Sequence, residues 1–226
     1  MKKGDVVRIE YVGRLESGEI FDLTSEELAK KEKIFNHRTK YGSVPVVIGA
    51  NFILPGLDKE LEKMTVGEET EATIEPQDAF GKRRADMVKT IPLRSFREEP
   101  SPGTMVNVGD KVGRVQTVSS GRALVDFNHP LAGKKLKYRV KITERIEAEK
   151  DKIEAVLEFF RATADRIEIK EDTVRIFSSA PKPARDMAAE VIMKFLPINT
   201  VEFMERYEKK NEQTEKNAIS AKSKQT

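Results

Sequence analysis

The sequence contains no cysteine and only 2 histidines in 226 residues. Without cysteine, the chain can form no disulfide framework, no thiol nucleophile and no cysteine-based zinc site. His37 and His129 are not spaced with carboxylates as metal ligands would be, and no glycine-rich phosphate loop follows a strand. No serine lies in a Gly-x-Ser-x-Gly elbow. We therefore expect no metal and no cofactor, whereas chemistry that needs only a shaped apolar pocket stays possible.

The sequence also lacks long apolar runs and an excess of one charge. No run approaches the ~20 residues of a membrane-spanning helix, and no apolar segment follows the first residues as it would in a signal peptide. The 41 basic and 38 acidic residues leave a net charge of +3, which gives no general attraction to nucleic acid or to an anionic membrane. These absences predict a cytoplasmic protein with neither a membrane nor a specific nucleic acid as a partner.

Residues 45–61 form the stretch around which the rest of the sequence is organised. The apolar residues 46–48 predict a buried strand, and a Gly-Ala-Asn turn follows them. Pro55 stands where a helix begins, with Leu57 and Leu61 one turn apart inside it. The apolar side chains of residues 52–54 are too many to face one core. We expect some of them to line a concave surface, and we place the functional site there.

Alternating apolar and polar residues predict strands at 7–12, 20–22, 69–75 and 136–142, and residues 25–29 suggest a short helix. The outer face of the last strand is basic, and the outer face of strand 69–75 is acidic. We expect these two faces to pair with each other in solvent rather than to bind RNA. The short basic run at 82–84 is likewise expected to be solvated.

The residue pattern changes twice in the second half of the sequence. Residues 105–108, 112–118 and 123–127 read as strands of a compact all-β segment. From residue 148 the period becomes helical, and the expected order is then helix, strand, strand, helix and a last strand at 201–207. Residues 208–226 are polar without periodicity and read as a tail.

Several short motifs, taken together and in order, resemble one known family. They are Gly4-Asp5-x-Val7-x-Ile9-x-Tyr11, Gly18-Glu-Ile-Phe-Asp22, Pro45-Val-Val-Ile-Gly-x-x-x-Ile53-Leu-Pro-Gly-Leu57, Gly67-Glu, Pro76-x-x-Ala-Phe-Gly81 and Leu136-x-Tyr-x-Val140. Over residues 1–82 and 128–146 the chain resembles an FKBP-type peptidyl-prolyl cis-trans isomerase. The residues between lie in the flap loop, where the SlyD-like branch carries an insert-in-flap chaperone domain, and Asn128-His-Pro-Leu-Ala-Gly133 resembles the return sequence of that branch. The remaining C-terminal part resembles the long archaeal members.

The resemblance implies an α+β fold with four parts. An FKBP-like antiparallel half-barrel sheet, wrapped on a short helix, would use residues 1–82 and 128–149. The all-β insert-in-flap domain would use residues 83–127. A small αββαβ domain would follow at 150–207, with the polar tail at 208–226.

The resemblance also implies a site. The catalytic positions are Asp22, Leu54, Phe80 and Tyr138, and the substrate-binding positions are Tyr11, Phe21, Val46, Ile53, Leu57, His129 and Leu131. The chaperone surface of the insert would comprise Met87, Val88, Ile91, Leu93 and Phe96. Phe80 stands where many members have a tyrosine, and Leu57 where some have a tryptophan. The histidine-rich metal-binding tail of the SlyD-like branch is absent from this sequence.

Two functions follow from the resemblance. The first is an isomerase that acts on X-Pro bonds of unfolded or proline-containing polypeptides captured by the insert. The alternative is a holdase chaperone whose isomerase pocket is weak, because Phe80 has no hydroxyl. The C-terminal domain is small, so it is expected either to form a homodimer through residues 150–207 or to dock on the isomerase domain.

Overall fold

The computed structural model describes residues 1–205. The chain divides into two compact units, Met1–Ile146 and the part from Glu147 onwards. Within residues 1–205, no helix is both long enough and apolar enough to cross a membrane. The tail predicted at 208–226 lies outside the described residues.

The first unit contains nine strands and two helices. The strands are β1 (Val6–Leu15), β2 (Ile20–Leu23), β3 (Val44–Val47), β4 (Glu69–Ile74), β5 (Val88–Pro92), β6 (Met105–Val108), β7 (Lys111–Ser119), β8 (Arg122–Asp126) and β9 (Leu136–Ile146). The helices are α1 (Glu26–Lys31) and α2 (Pro55–Leu61). Helix α1 begins at Ser25, whose hydroxyl accepts a hydrogen bond from the backbone N–H of Leu28.

A 5-stranded antiparallel sheet forms the body of this unit, in the order β2-β1-β9-β4, with β3 also paired to β1. Strand β1 pairs with β9 along its whole length, with β3 in its first half and with β2 in its second half. One long strand therefore carries three partners, as expected for the half-barrel of the FKBP-like fold.

Helix α2 covers the inner face of this sheet. Leu57 and Leu61 are 2% and 0% exposed, and they share a core with Ile9 and Ile142. The helix lies close to the sheet at Gly56, where a Cβ atom would come within 2.4 Å of Ile74 Cγ2. The helix predicted from Pro55 is confirmed, and glycine at position 56 is what allows its first turn to touch β4.

The outer face of the sheet carries the predicted pairing of charges. In register, Lys141 of β9 lies opposite Glu69 of β4. Arg139 forms an ion pair with Glu69 at 3.5 Å, and Lys135 forms one with Glu75 at 2.8 Å. All of these side chains are at least partly exposed, so basic residues of this face pair with acidic residues of its neighbour, as the sequence predicts.

The insert folds as a 4-stranded sheet in the order β5-β8-β7-β6. Its small core consists of Val115, Ala123 and Val125, which are at most 1% exposed. Strands β6, β7 and β8 lie where the sequence predicts them, but β5 was not predicted. The polar residues Lys89 and Thr90 are adjacent in β5, which breaks the alternation of a strand pattern, and the strand ends in Pro92. It is therefore recognisable only by its pairing with β8.

The second unit has the predicted order of elements. They are α3 (Glu149–Phe159), β10 (Arg166–Lys170), β11 (Thr173–Phe177), α4 (Lys182–Phe195) and β12 (Thr200–Met204). The 3-stranded sheet has the order β10-β11-β12, with β11 and β12 parallel. Ile153, Ile176 and Ile192 are fully buried between the helices and the sheet. The last strand ends at Met204, and positions 206 and 207 of the predicted strand lie outside the described residues.

Candidate active site

Three aromatic side chains meet on the inner face of the half-barrel. Tyr11 of β1 and Tyr138 of β9 lie on the same face, with ring centroids 5.8 Å apart. Phe21 of β2 meets Tyr138 edge to face at 5.7 Å. Tyr138 is 5% exposed, while Tyr11 and Phe21 are half-buried. The cluster thus forms an aromatic wall that is rooted in the core and open on one side.

Gly13 makes this cluster possible. It lies opposite Tyr138 in the β1–β9 register. A Cβ atom at Gly13 would lie 2.7 Å from Phe21 Cζ and 3.1 Å from Tyr138 Cε1. We did not select Gly13 from the sequence, although a glycine inside a strand pattern often marks a close approach of this kind.

Asp22 is exposed and binds the hydroxyl of Tyr11 in the aromatic wall. The Tyr11 hydroxyl donates a hydrogen bond of 3.0 Å to Asp22 Oδ2. Burial raises the pKa of Tyr11 far above its ordinary value, and the negative charge of Asp22 and the hydrogen bond to it add to this rise. Burial, followed by the charge of Asp22, also raises the pKa of Tyr138. Both phenols therefore remain protonated donors at any physiological pH.

The loop between β3 and α2 is fixed by a buried carboxylate. The backbone N–H of Gly49 donates to both oxygens of Asp58, at 3.1 and 2.9 Å. Gly49 has a φ of 81°, which favours glycine. Burial raises the pKa of Asp58, whereas the hydrogen bond from Gly49 lowers it by a smaller amount. The sequence did not reveal Asp58, which ties the start of helix α2 to the start of the loop.

Leu54 presents its backbone at the end of this loop. Its carbonyl accepts hydrogen bonds from the N–H groups of Leu57 and Asp58, at 2.9 and 3.0 Å. Its own N–H donates no hydrogen bond within residues 1–205. Ile53 and Leu54 are half-buried and pack against the core that contains the aromatic wall. The loop therefore offers an unused backbone donor beside apolar side chains.

Phe80 and His129 close another side of the site. Their rings stack at 4.1 Å and are within 5° of parallel. The backbone N–H of Leu131 donates to His129 Nδ1 at 3.2 Å, which orients the imidazole ring. Phe80 and Leu131 are half-buried. These residues precede and follow the insert in sequence, so the stack joins the two ends of the insert, and Phe80 packs against the core that contains Tyr138.

Two of the predicted site residues lie deeper than the others. Val46 and Leu57 are 1% and 2% exposed and belong to the core. They support the residues in front of them, and the accessible surface is formed by half-buried side chains. Those side chains are Tyr11, Phe21, Ile53, Leu54 and Phe80. No group of three or more His, Asp or Glu side chains in residues 1–205 is placed to hold a metal ion.

Comparison with known proteins identifies the family of this chain. A family model described as FKBP-type peptidyl-prolyl cis-trans isomerase matches residues 1–95, and a model described as FKBP26, IF domain, matches residues 89–131. A short-type peptidyl-prolyl cis-trans isomerase of Methanocaldococcus jannaschii is 30% identical over 154 residues, which cover 67% of this chain and 98% of that protein. The chain belongs to the FKBP-type peptidyl-prolyl cis-trans isomerase family.

Several of the relatives carry the name SlyD. The FKBP-type isomerase SlyD of Treponema pallidum is 32% identical over 162 residues, covering 67% of this chain and 82% of that protein. SlyD of Aeromonas hydrophila is 33% identical over 144 residues, covering 62% of this chain and 61% of that protein. The chain is therefore a SlyD-like isomerase with an IF insert, as the sequence motifs predicted.

A polar network joins the two segments that connect the FKBP domain to its IF insert. We call these segments, residues 83–84 and 126–128, the neck. Arg83 Nη2 donates to Asp126 Oδ2 at 2.7 Å. Asn128 accepts from the N–H of Arg84 at 2.8 Å and donates to the carbonyl of Arg84 at 2.9 Å. Asn128 also donates to Asp126 Oδ1 at 2.7 Å. The network locks the two connecting segments together, and the sequence did not show it because its partners are separated by more than forty positions.

The predicted chaperone surface of the IF insert is divided by the structure. Ile91, Leu93 and Phe96 pack against the insert core. Met87 and Ile91 line a groove of about 140 Å³ together with residues that the sequence did not single out. Val88 is half-buried on β5. The structure therefore brings Met87 and Ile91 to an open groove and places Leu93 and Phe96 in a supporting role.

A cavity of the FKBP domain lies on the outer face of its sheet. It has a volume of about 300 Å³ and is lined by charged residues of both signs between α1 and the strands, including Glu10, Lys31 and Arg139. Of the predicted site residues, only Tyr11 borders it. Its balanced charges do not suit an apolar proline ring.

Proposed function

We propose that this FKBP-type isomerase acts on X-Pro bonds of unfolded or partly folded polypeptides, and that its IF insert holds those chains as a chaperone domain. The observation that carries the proposal is the stack of Phe80 on His129. The stack joins the segments that lead into and out of the insert, and Phe80 packs against the core that contains Tyr138. A chain held by the insert would then reach the wall without leaving the protein.

The wall suits the chemistry of an X-Pro bond. Rotation about the bond breaks amide resonance, with a barrier of about 18–20 kcal/mol. The twisted transition state is less polar than the planar amide, so an apolar pocket that excludes water favours it over the ground state. In the proposal, Tyr11, Phe21 and Tyr138 enclose the proline ring. No nucleophile, metal or cofactor enters the reaction.

Leu54 and Asp22 have polar roles in this proposal. The unused N–H of Leu54 would hold a substrate carbonyl and fix the orientation of the twisting bond. Asp22 would hold the Tyr11 hydroxyl so that the wall keeps its shape when a substrate enters. General base catalysis is not required of Asp22, because isomerisation transfers no proton.

The insert has a surface suited to extended apolar segments. Met87, Ile91, Val108 and Phe127 line its groove. Methionine adapts its shape to different partners, which favours a binding surface with broad specificity. This supports capture of unfolded chains by the insert, followed by delivery to the wall.

Replacing residues 84–127 by a short Gly-Ser linker tests the delivery role. The neck can be bridged because the N–H of Gly133 donates to the carbonyl of Gly81 at 2.8 Å. We expect the shortened protein to isomerise a short Ala-Leu-Pro-Phe-type peptide at nearly the full rate, but to lose most catalysis of proline-limited refolding. Equal activity of the two proteins in the refolding assay would refute delivery by the insert.

A holdase with a weak isomerase pocket is the second candidate. It is favoured by Phe80, which has no hydroxyl to bind a substrate carbonyl. Peptide isomerisation by the intact protein separates the two candidates. If the protein prevents aggregation of an unfolded client but does not accelerate peptide isomerisation, and Asp22→Ala and Phe80→Ala change nothing, the holdase is correct.

We also propose that the C-terminal unit forms a homodimer. Its support is the small size of the unit and the exposure of Met187 and Met193 on α4, at 48% and 47%. Light scattering of the intact protein tests this directly. A monomeric mass at high concentration would contradict the dimer and favour docking of the unit within one chain.

A further inference from the structure

The groove on the IF insert contains two lysines among its apolar residues. It is lined by Met87, Lys89, Ile91, Val108, Lys111 and Phe127. No acidic residue lines it. Contact with apolar surface alone does not require two ammonium groups in the groove. The positions of the two lysines in the sheet therefore bear on what the groove can bind.

Both lysines occupy positions that face the core side of the insert sheet. In register, Lys89 lies opposite Val125 and Ile91 lies opposite Ala123. Both partners are 0% exposed. Lys89 therefore stands in the same row of β5 as Ile91, and this row faces the core side of the sheet.

Lys111 occupies the equivalent row of β7. It precedes Gly113 and Val115 at spacings of two and four, which places all three on one face of the strand. Gly113 and Val115 are buried on this face. A Cβ atom at Gly113 would lie 2.8 Å from Phe127 Cδ1, so glycine lets the Phe127 ring lie against β7 and form part of the groove.

Neither lysine forms an ion pair within residues 1–205. The nearest carboxylate in sequence to Lys89 is Asp86, which is paired with Arg84. The Arg84 hydrogen bond is the main cause that lowers the pKa of Asp86, and the charge of Lys89 contributes least. Asp110 precedes Lys111 but does not line the groove. Both ammonium groups are therefore available to a bound partner.

We propose that this groove selects client segments in which apolar side chains are flanked by Asp or Glu. The inference rests on the proposed role of the insert in binding clients. The apolar side chains would contact Met87, Ile91 and Phe127, while the flanking carboxylates would reach Lys89 on one side and Lys111 on the other. Segments flanked by Lys or Arg would be disfavoured by like charge.

A different role for Lys89 makes a distinct prediction. Strand β5 is an edge strand of the insert sheet, and an inward-facing charge on an edge strand protects a sheet against edge-to-edge association. If this were the only role, removing the charge would increase self-association without changing the preference among clients. The aliphatic stems of the lysines also cover apolar surface, so the test variants use glutamine, which removes the charge and keeps two of the four methylene groups.

The test uses the full chain and three fluorescent peptides with the same apolar centre, flanked by Glu, by Gln or by Lys. Binding is measured by fluorescence anisotropy at about 50 mM and about 500 mM salt, because exposed charge pairs are screened at the higher concentration. We expect the Glu-flanked peptide to bind about tenfold more tightly than the Lys-flanked peptide at low salt, with the difference largely lost at high salt.

Lys89→Gln and Lys111→Gln should each reduce this preference by about two- to fivefold, the range for exposed ion pairs. The double variant should remove most of it and leave binding of the Gln-flanked peptide unchanged. Arg122→Gln is the matched control. It removes one positive charge from β8, where Arg122 alternates with the buried Ala123 and so lies on the opposite face.

The outcomes separate this inference from the proposed function. Equal binding of all three peptides would overturn the charge preference while leaving client binding by the insert intact. An equal effect of Arg122→Gln would also overturn the charge preference of the groove, since the net charge of the insert would then explain the difference between the peptides. Binding of none of the peptides would refute both this inference and the chaperone role of the insert.

Discussion

Substituting Gly13 by alanine should damage the proposed isomerase site more than it damages the fold. Gly13 lies within the pair of strands β1 and β9, and its backbone conformation does not require glycine. The new Cβ would lie 2.7 Å from Phe21 Cζ, whereas ordinary contact begins near 3.4 Å. The ring must therefore retreat by about 0.7 Å, together with the edge of Tyr138, which the Cβ would approach to 3.1 Å.

The size of the effect follows from where this strain is relieved. Overpacking of a well-packed region costs about 1–3 kcal/mol. Phe21 is half-buried and its ring can move outward, so we expect the lower end, about 1 kcal/mol of unfolding free energy. The displacement of the Phe21 ring should affect catalysis more strongly than stability, because the wall must enclose the proline ring in the transition state. We expect kcat/KM for a short X-Pro peptide to fall by about ten- to a hundredfold.

The assay measures peptide isomerisation and denaturant unfolding on the same samples. Gly113→Ala is the matched control, because its Cβ would lie 2.5 Å from Val125 Cγ1 in the insert, far in sequence from the wall. This control should lose stability but keep peptide isomerisation. Unchanged kcat/KM in Gly13→Ala, or an equal loss in both variants, would refute the assignment of the aromatic wall as the isomerase site.

Three further predictions address the site, the neck and the loop. Asp22→Ala should lower the rate of peptide isomerisation about three- to tenfold, because it releases the Tyr11 hydroxyl. Asp22→Asn keeps a hydrogen-bond acceptor and should retain more activity. Identical effects of the two variants would contradict the hydrogen-bonding role of Asp22. Asn128→Ala should leave peptide isomerisation intact but reduce catalysis of refolding and speed proteolysis at the neck, and unchanged proteolysis would argue against a lock there. Because the pKa of Asp58 is raised in the folded state, there is a pH range in which the folded state keeps the Asp58 proton and the unfolded state has lost it. Its stabilising contribution is present below the unfolded pKa and lost as pH rises through the folded pKa, so the stability of Asp58→Asn relative to the original protein should increase as pH rises above the unfolded pKa of about 4, as measured by urea unfolding.

The sequence predicted the elements whose signals are local. The strand pattern around Tyr11, the turn before Ile20 and the helix start at Pro55 all rest on neighbouring residues, and the structure contains each of them. The ordered motifs also placed Phe21, Asp22 and Tyr138 near one another. Such motifs carry this information because they are read at fixed spacings along the chain.

Other features depend on residues that are distant in the sequence. Strand β5 has no clear pattern of its own and becomes a strand by pairing with β8. Asn128 joins Arg84 across the neck, and Asp58 becomes significant only because the turn at Gly49 brings a backbone N–H to it. No periodicity in the sequence indicates these partners, because each is chosen by the way distant segments fold together.

The sequence by itself determined the family, the order of the elements and the apolar character of residues 45–61. Only the tertiary structure decided how those apolar residues divide. Val46 and Leu57 are buried as support, while Ile53 and Leu54 remain half-exposed beside the aromatic wall. It also decided that Lys89 and Lys111 share one groove. Hydrophobicity and spacing indicate that a side chain can be buried, but the packing of α2 and the sheet determines which side chains are covered and which are left to meet a substrate.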